Sequence, residues 1–422
     1  MVKSIKLESV SSRAVLIITG VVCLTAAIFF VKWCFANAIA AHAPNKEVAE
    51  LTVSMAPADP QTHYALAVLN ERTFSTETLT KARAEFGQAT ALSPNDFRLW
   101  LAYGKALERD GDAAGAELAL KKALALAPNY AAVHWTLGNV LLRRGKTQEG
   151  FREIRHAAEN DDNYRLAIVS MAWQFFDGNL SEVKQAIGDS TNLSAGLVVF
   201  LAKQKRLDEA FEIWTSLPAE GRTIYKTDGE QLFGELLAAK KYRKALRLQN
   251  EFNEKSDAEK FVVGKIHNGG FETELTREQA SVFDWRIADG RQPQIGPNEE
   301  QKHGGSRSIF IIFNSTDGKD YRQISQTIVV ESARKYIFNG FYKSNLKTAA
   351  TLRWEIVDAA NDAVLASVNP IAANADWTGF SVPFAISENT EAITLRLTRE
   401  QCKSIICPIS GNVWFDDFSI TQ

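Results

Sequence analysis

The chain has 422 residues, of which 45% are hydrophobic, and this length allows two or three domains with their own cores. Its 48 Lys and Arg residues nearly balance its 50 Asp and Glu residues, for a net charge of -2. This balance argues against a basic nucleic-acid-binding protein. The four cysteines are too few for a disulfide-rich scaffold.

An apolar stretch near the N-terminus predicts a transmembrane helix. Ala14 to Val31 carries no charge over 18 residues and reaches about 27 Å as a helix, close to the thickness of a bilayer's hydrocarbon core. Lys32 can snorkel and Trp33 suits the interface, so we expect the span to cover residues 14–35. The tail 1–13 is basic and is therefore predicted to stay in the cytoplasm, with the remaining chain across the membrane.

A cleaved signal peptide is the alternative, because residues 36–38 and 38–40 both offer small-residue cleavage patterns. An apolar core of 18 residues exceeds the about 7–15 of a signal peptide and favours a retained anchor. Residues 36–62 are poor in aromatic side chains and contain Pro44, Pro57 and Pro60. We predict a linker there.

A 34-residue period begins at His63. Aligning Pro94 with Pro128 also superimposes three further pairs of apolar residues: Phe86 on Leu120, Ala82 on Ala116 and Ala89 on Ala123. The clearest unit runs from Phe97 to Tyr130. Its large, small and helix-ending positions are Trp100, Gly104, Leu107, Ala116, Leu120, Ala123 and Pro128.

These positions resemble the tetratricopeptide repeat. The resemblance implies an all-α solenoid over 63–255, with clear repeats at 63–96, 97–130 and 131–164 and degenerate helical hairpins over 165–255. Repeat one departs from the pattern by placing Asn70 at the small position.

The resemblance also implies an inner groove that binds protein partners. By family analogy its inward positions include Tyr64, Arg98, Leu101, Lys105, Trp135, Asn139, Leu142 and Arg143. Lys105, Asn139 and Arg143 could bind a carboxylate-bearing peptide. Leu101 and Trp135 stand where carboxylate-clamping members of the family place lysine, which argues against a clamp for a peptide C-terminus. A solvated charged face is the alternative.

The hydrophobic period changes from 3.6 to 2 at about Phe261, and many short strands without helices predict a sandwich or jelly roll. Four segments resemble carbohydrate-binding modules found beside cellulases and xylanases: 268–272, 335–340, 377–384 and 414–420. The resemblance implies an all-β jelly-roll module at 262–422. The predicted fold class is therefore multidomain: a transmembrane helix, an all-α solenoid and an all-β sandwich.

Strand parity suggests which face of this module could bind a glycan. Trp354 shares a face with Leu352 and Ile356 and should lie in the core. The opposite parity offers a polar face with Asn339, Phe341, Lys343, Arg353, Glu355 and Arg396. This face is poor in flat aromatics, so it fits soluble glycan chains or a protein partner better than crystalline polysaccharide. Trp285 and Trp377 are further stacking candidates, although core positions are favoured for both.

Two carboxylates match a metal site of the resembling modules. In those modules the first and last strands often hold a structural calcium, and Glu272 and Asp416 stand at the matching places. By parity Asp416 shares a face with Phe418 and Ile420, so it should be partly buried and need partners. The alternative is that Asp416 accepts backbone N–H bonds.

The cysteines fall into two pairs. Cys402 and Cys407 are predicted to form a local disulfide in an oxidising compartment. Cys23 and Cys34 lie in or beside the membrane segment, where a thiol behaves as a small hydrophobe.

The sequence has no catalytic signature: it lacks a GxxxxGK[ST] loop, an HExxH zinc helix and a GxSxG elbow. We therefore predict a non-enzymatic, single-pass inner-membrane protein of a bacterium, with most of the chain in the periplasm. Its predicted role is a scaffold for protein partners, with the assembly or export of an exopolysaccharide as the candidate process and structural calcium as the candidate cofactor. The alternatives are an envelope assembly factor that binds no glycan and a glycan-processing enzyme.

Overall fold

The structure is a computed structural model and describes residues 10–73, 75–253, 260–275, 280–316, 321–348, 350–400 and 406–422. An apolar helix is followed by helical hairpins and then by two antiparallel sheets, which confirms the predicted fold class. The chain divides into two compact units, Met1–Phe200 and Leu201–Gln422.

Helix α1 (Val10–Ala40) contains the predicted span and is long and apolar enough to cross a membrane. It continues beyond the predicted end at residue 35, and Ala36 and Ala40 are buried. Asn37 Nδ2 donates a hydrogen bond of 2.8 Å to Asp59 Oδ2.

The predicted linker at 36–62 is wrong. These residues form the end of α1, helix α2 (Lys46–Met55) and the start of helix α3 at Pro60. Local sequence explains both helix starts. Asn45 caps α2 by accepting from Val48 N at 3.0 Å, and Asp59 caps α3 with proline at its first position.

Three helical hairpins form the clear repeats. They pair α3 (Pro60–Glu71) with α4 (Thr76–Leu92), α5 (Phe97–Arg109) with α6 (Ala113–Leu126), and α7 (Ala131–Arg143) with α8 (Thr147–Asn160). Glycines allow the helices to approach closely. A Cβ on Gly104 would lie 2.6 Å from Leu120 Cγ, and a Cβ on Gly138 would lie 2.5 Å from Ile154 Cγ1.

Repeat one has a longer period than predicted. The fourth residues of α3, α5 and α7 are His63, Trp100 and His134, and they are separated by 37 and 34 residues. The small position of repeat one is therefore Ala67, which is fully buried against α4. The prediction that Asn70 stands there is wrong, because α4 has 17 residues whereas α6 and α8 have 14 each.

Further helices follow the third repeat: a 3₁₀ turn at Asp162–Tyr164, α9 (Arg165–Phe175), α10 (Leu180–Ile187), α11 (Thr191–Lys203), α12 (Leu207–Ser216), α13 (Ala219–Ile224), α14 (Lys226–Ala238) and α15 (Tyr242–Phe252). Helix α15 is bonded to the sandwich within the second unit. Tyr242 Oη donates to the carbonyl of Ala359 at 2.8 Å, and Glu391 Oε2 accepts from Arg243 N at 3.0 Å. The second unit therefore begins before the predicted module boundary at 262.

The described residues of the sandwich form ten strands in two sheets, and all their pairs are antiparallel. The strands are β1 (Arg286–Ile287), β2 (Gln294–Asn298), β3 (Ser308–Ser315), β4 (Ile324–Val329), β5 (Lys335–Thr348), β6 (Leu352–Asp358), β7 (Val364–Ser367), β8 (Asn374–Ala385), β9 (Ala392–Arg399) and β10 (Ile409–Thr421). The first sheet has the order β1-β4-β9-β6-β7 and the second has β2-β3-β10-β5-β8. Their inner faces enclose an aromatic core around Trp285, Trp354 and Phe418.

Candidate functional site

Strand β5 divides its side chains between the core and the outer face of the second sheet. Tyr336, Phe338 and Tyr342 are buried in the core. Side chains alternate along a strand, so Phe341 and Lys343 lie on the outer face. This face is the candidate site.

A stacked pair of aromatic rings, which we call the platform, lies on this face. Phe310 of β3 and Trp414 of β10 are partners in register, and their rings stack with centroids 4.8 Å apart and planes 15° apart. Both side chains are half-buried. Trp414 Nε1 has no hydrogen-bond partner among the described residues.

Sequence analysis missed this platform because β10 contains a bulge. The register shifts between Asp416 and Ser419, where Asp417 adopts a left-handed φ of 53°. Phe415 and Phe418 can therefore both face the core, although they are three residues apart. The parity argument that grouped Asp416 with Phe418 and Ile420 is wrong for this reason.

A row of amide side chains crosses the sheet beside the platform. Register places Gln294 opposite Ile312, Ile312 opposite Asn412, Asn412 opposite Asn345, and Asn345 opposite Asn374. Each amide offers both donors and an acceptor. The row therefore presents hydrogen-bonding groups on four of the five strands.

A cavity and an ion pair lie along the same face. The cavity has a volume of about 420 Å³ and is lined by Gln294, Ile295, Gly296, Phe310, Ile312 and Arg322. Lys343 Nζ lies 2.9 Å from Asp376 Oδ1. The hydrogen bond from Lys343 holds the pKa of Asp376 below its usual value.

Phe341 and Trp377, two of the predicted glycan-binding residues, are partly covered. The His303 ring stacks on Phe341 with centroids 3.6 Å apart and meets Trp377 at 5.8 Å. His303 Nδ1 also lies 2.6 Å from Asp417 Oδ2. One face of Phe341 is therefore unavailable for stacking on a ligand. Asn339 lies on the same outer face, half-buried on β5.

The remaining glycan-binding candidates lie elsewhere. Arg353 and Glu355 belong to β6 of the first sheet, where Glu355 Oε2 lies 3.1 Å from Arg396 Nη2. Arg353 pairs with Glu400. Trp285 is fully buried in the core, so the prediction that it could stack on a glycan is wrong.

Glu272 and Asp416, the predicted calcium ligands, both bind the loop at 303–307. Asp416 Oδ2 accepts backbone N–H bonds from His303 at 2.7 Å and Gly304 at 3.1 Å. Glu272 Oε1 accepts from Ser306 N at 2.9 Å. Residue 305 adopts a left-handed φ of 55°, which favours glycine there.

This arrangement does not fit a cation, because N–H groups point their positive ends at the oxygens that calcium would need. Within the described parts of the chain, no group of three or more His, Cys, Asp or Glu residues could hold a metal ion. Hydrogen bonds from Ser306 lower the pKa of Glu272, and burial raises the pKa of Asp416. Calcium binding by these two carboxylates stays a prediction.

The described residues include only one cysteine of the predicted disulfide. Cys402 lies outside the described residues. Cys407 is buried, and its carbonyl accepts a hydrogen bond from Arg399 Nη2 at 2.6 Å. The pairing of the two cysteines stays a prediction.

The predicted peptide groove on the solenoid carries a ladder of ion pairs. Arg109 Nη1 lies 2.6 Å from Glu71 Oε2, and Arg143 pairs with Glu108. Lys105 makes no ion pair with the described residues. Burial lowers the pKa of its amine. Lys105 is therefore the groove cation that remains available to a ligand.

The other groove candidates make local contacts. Arg98 binds Asp96, Tyr64 packs edge-on against Phe86 at 5.7 Å, Trp135 lies 5.4 Å from Tyr164, and Asn139 Nδ2 donates to the carbonyl of Trp135 at 2.8 Å.

No protein-family model and no curated protein matches the sequence. Solved structures resemble its two folded parts. The carbohydrate-binding module CBM4 is 16% identical with a TM-score of 0.28, and the match covers 37% of this chain and 98% of that module. TmCBM61, solved in complex with β-1,4-galactotriose, is 15% identical with a TM-score of 0.27 over 37% of this chain and 95% of its own. YrrB, a TPR protein with an unusual peptide-binding site, is 16% identical with a TM-score of 0.27 over 49% of this chain and 91% of its own. At such identities the likeness extends to the fold alone.

Proposed function

We propose that the outer face of the second sheet binds a soluble glycan chain. The observation that carries this proposal is the stacked Phe310–Trp414 platform beside the row of amides. A sugar ring offers an apolar face of C–H groups and a rim of hydroxyls. A flat aromatic surface suits the first, and amides that both donate and accept suit the second.

We propose a non-enzymatic role for this face. The carboxylate of Asp376 is paired with Lys343, that of Asp417 with His303, and that of Asp416 with backbone N–H groups. Glycoside hydrolysis needs two carboxylates free to act as acid and as base or nucleophile.

Binding of the full chain, in detergent, to an array of soluble polysaccharides tests the glycan proposal. We expect Trp414→Ala to weaken binding at least about 10-fold, since loss of one well-placed contact of 1.4 kcal/mol is tenfold in affinity. Asn412→Ala should also weaken it and removes no core side chain. Glu355→Ala, on the outer face of the other sheet, is the matched control and should bind normally. An array that retains no glycan, or equal binding by wild type and Trp414→Ala, would refute the proposal.

We propose a second binding site in the solenoid groove, for an acidic segment of a protein partner. The half-buried Lys105 amine lies without an ion pair among the described residues, between two ion pairs that fix the neighbouring charges. A ligand carboxylate would restore the solvation that burial removes from this amine.

A library of random peptides, panned against the full chain, tests the groove. Acidic peptides should be selected by the wild type and lost with Lys105→Ala. Lys122→Ala, an exposed lysine of α6, is the matched control and should select the same peptides as the wild type. Selection unchanged by Lys105→Ala would refute the site.

We propose that α1 anchors both units on the side of the membrane away from the cytoplasm, because basic residues precede its apolar span. In a bacterium this would place a scaffold for protein and glycan in the periplasm, and the process we propose for it is the assembly or export of an exopolysaccharide.

A further inference from the structure

One hydrogen bond recurs in all three clear repeats of the solenoid. It joins the fourth residue of the first helix to the carbonyl of the proline six residues earlier, in the turn that enters the repeat. The three bonds are His63 Nε2 to Pro57 O at 2.9 Å, Trp100 Nε1 to Pro94 O at 2.9 Å, and His134 Nε2 to Pro128 O at 2.7 Å.

Each of the two histidines also faces a carboxylate on the second helix of its repeat. His63 Nδ1 lies 2.6 Å from Glu85 Oε2, and His134 Nδ1 lies 2.8 Å from Glu153 Oε2. Ala119 is 34 residues from each glutamate and holds the equivalent position in the middle repeat. Repeats one and three thus have histidine and glutamate at these two positions, whereas repeat two has tryptophan and alanine.

These contacts require two protons on each ring. A carbonyl and a carboxylate only accept hydrogen bonds, and a neutral imidazole has a single N–H. His63 and His134 are 8% and 6% exposed, so water cannot easily replace a missing bond. The imidazolium form is therefore the one that satisfies both neighbours.

We infer that His63 and His134 are proton-dependent staples that hold the solenoid together. While protonated, each ring ties the entering turn and the two helices of its repeat to one another. The turn connects successive repeats, so loss of the proton weakens contacts within and between them. The solenoid should therefore be most stable in mildly acidic conditions and less stable at higher pH.

The groups around each ring decide the pH range. Glu85 faces His63. His134 faces Glu153, and the ring of His156 lies 5.4 Å from that of His134. The charge of Glu159 also raises the pKa of His134. Arg152 Nε lies 4.0 Å from Glu153.

Glu153 is the main cause that raises the pKa of His134 above its ordinary 6.5. The stabilisation of the folded state by protonated His134 is thus complete below pH 6.5 and is lost as the pH rises through the raised pKa. The hydrogen bond with His134 lowers the pKa of Glu153 from 4.5, so its contribution is present above pH 4.5 and is lost as the pH falls through the lowered value.

Nuclear magnetic resonance of the full chain, labelled with ¹⁵N at histidine and held in detergent, tests the inference directly. We expect the His134 signals, assigned by their loss in His134→Trp, to change from the imidazolium to the neutral form with a midpoint above pH 6.5. A midpoint at or below pH 6.5 would overturn the inference. The midpoint itself is measured on the wild-type chain.

Melting of the helices at several pH values tests the consequence. The wild-type melting temperature should fall by about 2–4 °C as His134 loses its proton above pH 6.5. A variant with His63→Trp, Glu85→Ala, His134→Trp and Glu153→Ala copies the middle repeat and should lose this fall. His42→Gln, which removes an exposed histidine between α1 and α2, is the control and should keep it. An equal fall in the wild type and the fourfold variant would overturn the inference.

Discussion

Replacing Asp416 by alanine should destabilise the second unit strongly. Asp416 is fully buried and accepts N–H bonds from His303 at 2.7 Å, Gly304 at 3.1 Å and Asp417 at 2.8 Å. Hydrogen bonds to a charged group contribute about 1.5–3 kcal/mol each, and a buried unpaired donor costs about 1–3 kcal/mol. The freed loop can turn some donors toward water, so we expect a net loss of about 3–5 kcal/mol rather than the full sum.

Thermal unfolding of the full chain in detergent, followed by the fluorescence of the buried tryptophans, measures this loss. For a unit of about 200 residues, 3–5 kcal/mol corresponds to a melting temperature about 6–20 °C lower. Asp416→Asn keeps one acceptor oxygen and should lose about half as much. Asp289→Ala, which removes an exposed carboxylate from the segment between β1 and β2, is the matched control and should change stability by no more than about 0.5 kcal/mol.

The same assay decides between hydrogen bonding and calcium binding at Asp416. Because N–H groups occupy its oxygens, we expect equal melting of the wild type in calcium and in chelator. A bound calcium would add about 2.7 kcal/mol at a hundredfold excess over Kd. A wild type that melts several degrees lower in chelator would refute our reasoning and show that the 303–307 loop rearranges around an ion.

The pH dependence of Asp416 follows from its burial. Burial raises the pKa of Asp416 above its ordinary 3.8, so the folded state holds the proton more tightly than the unfolded state. This group therefore favours folding increasingly as the pH falls through the raised value. Asp416→Asn should remove that part of the pH dependence.

Three further predictions concern the solenoid, the anchor and the cysteines. Ala116→Trp should cost about 1–3 kcal/mol and reduce helical content, because Ala116 is fully buried beside the close approach at Gly104; unchanged circular dichroism would contradict this. A reporter that works only outside the cytoplasm should be active after Gln422, and the protein should stay with membranes after a carbonate wash, whereas release would indicate a cleaved signal peptide. Mass spectrometry should find Cys402 linked to Cys407, closing a loop that removes about 2 kcal/mol of unfolded-state freedom; two free thiols would refute the link.

Repeats two and three could be predicted because close helix packing restricts residue size at fixed intervals. Gly104 and Gly138 face Leu120 and Ile154 so closely that no side chain fits. Repeat one was misaligned because the 34-residue period aligns the C-terminal part of its second helix, α4, whereas the greater length of α4 displaces its first helix, α3. No such restriction on residue size identifies Ala67 in the sequence as the small position of repeat one.

The platform on the second sheet could not be predicted from alternation. Phe310 lies between isoleucines, so the polarity of its neighbours does not distinguish the two faces. The inward or outward direction of Trp414 depends on the bulge at Asp417. Aspartate tolerates positive φ better than most residues, but two adjacent aspartates alone do not locate a bulge.

The composition of the proline-containing segment before the repeats led to the wrong prediction of a linker. Pro57 accepts the entering hydrogen bond of repeat one and Pro60 is the first residue of α3, so both belong to helix boundaries rather than to a flexible spacer. Because Asn37 of α1 donates a hydrogen bond to Asp59 and Ala40 is buried, no flexible linker separates the apolar helix from the first repeat. With α1 in a membrane, as we propose, its tilt would set the orientation of the first repeats directly. A flexible insertion after Ala40 could change that orientation only by breaking those contacts, and would then change stability as well.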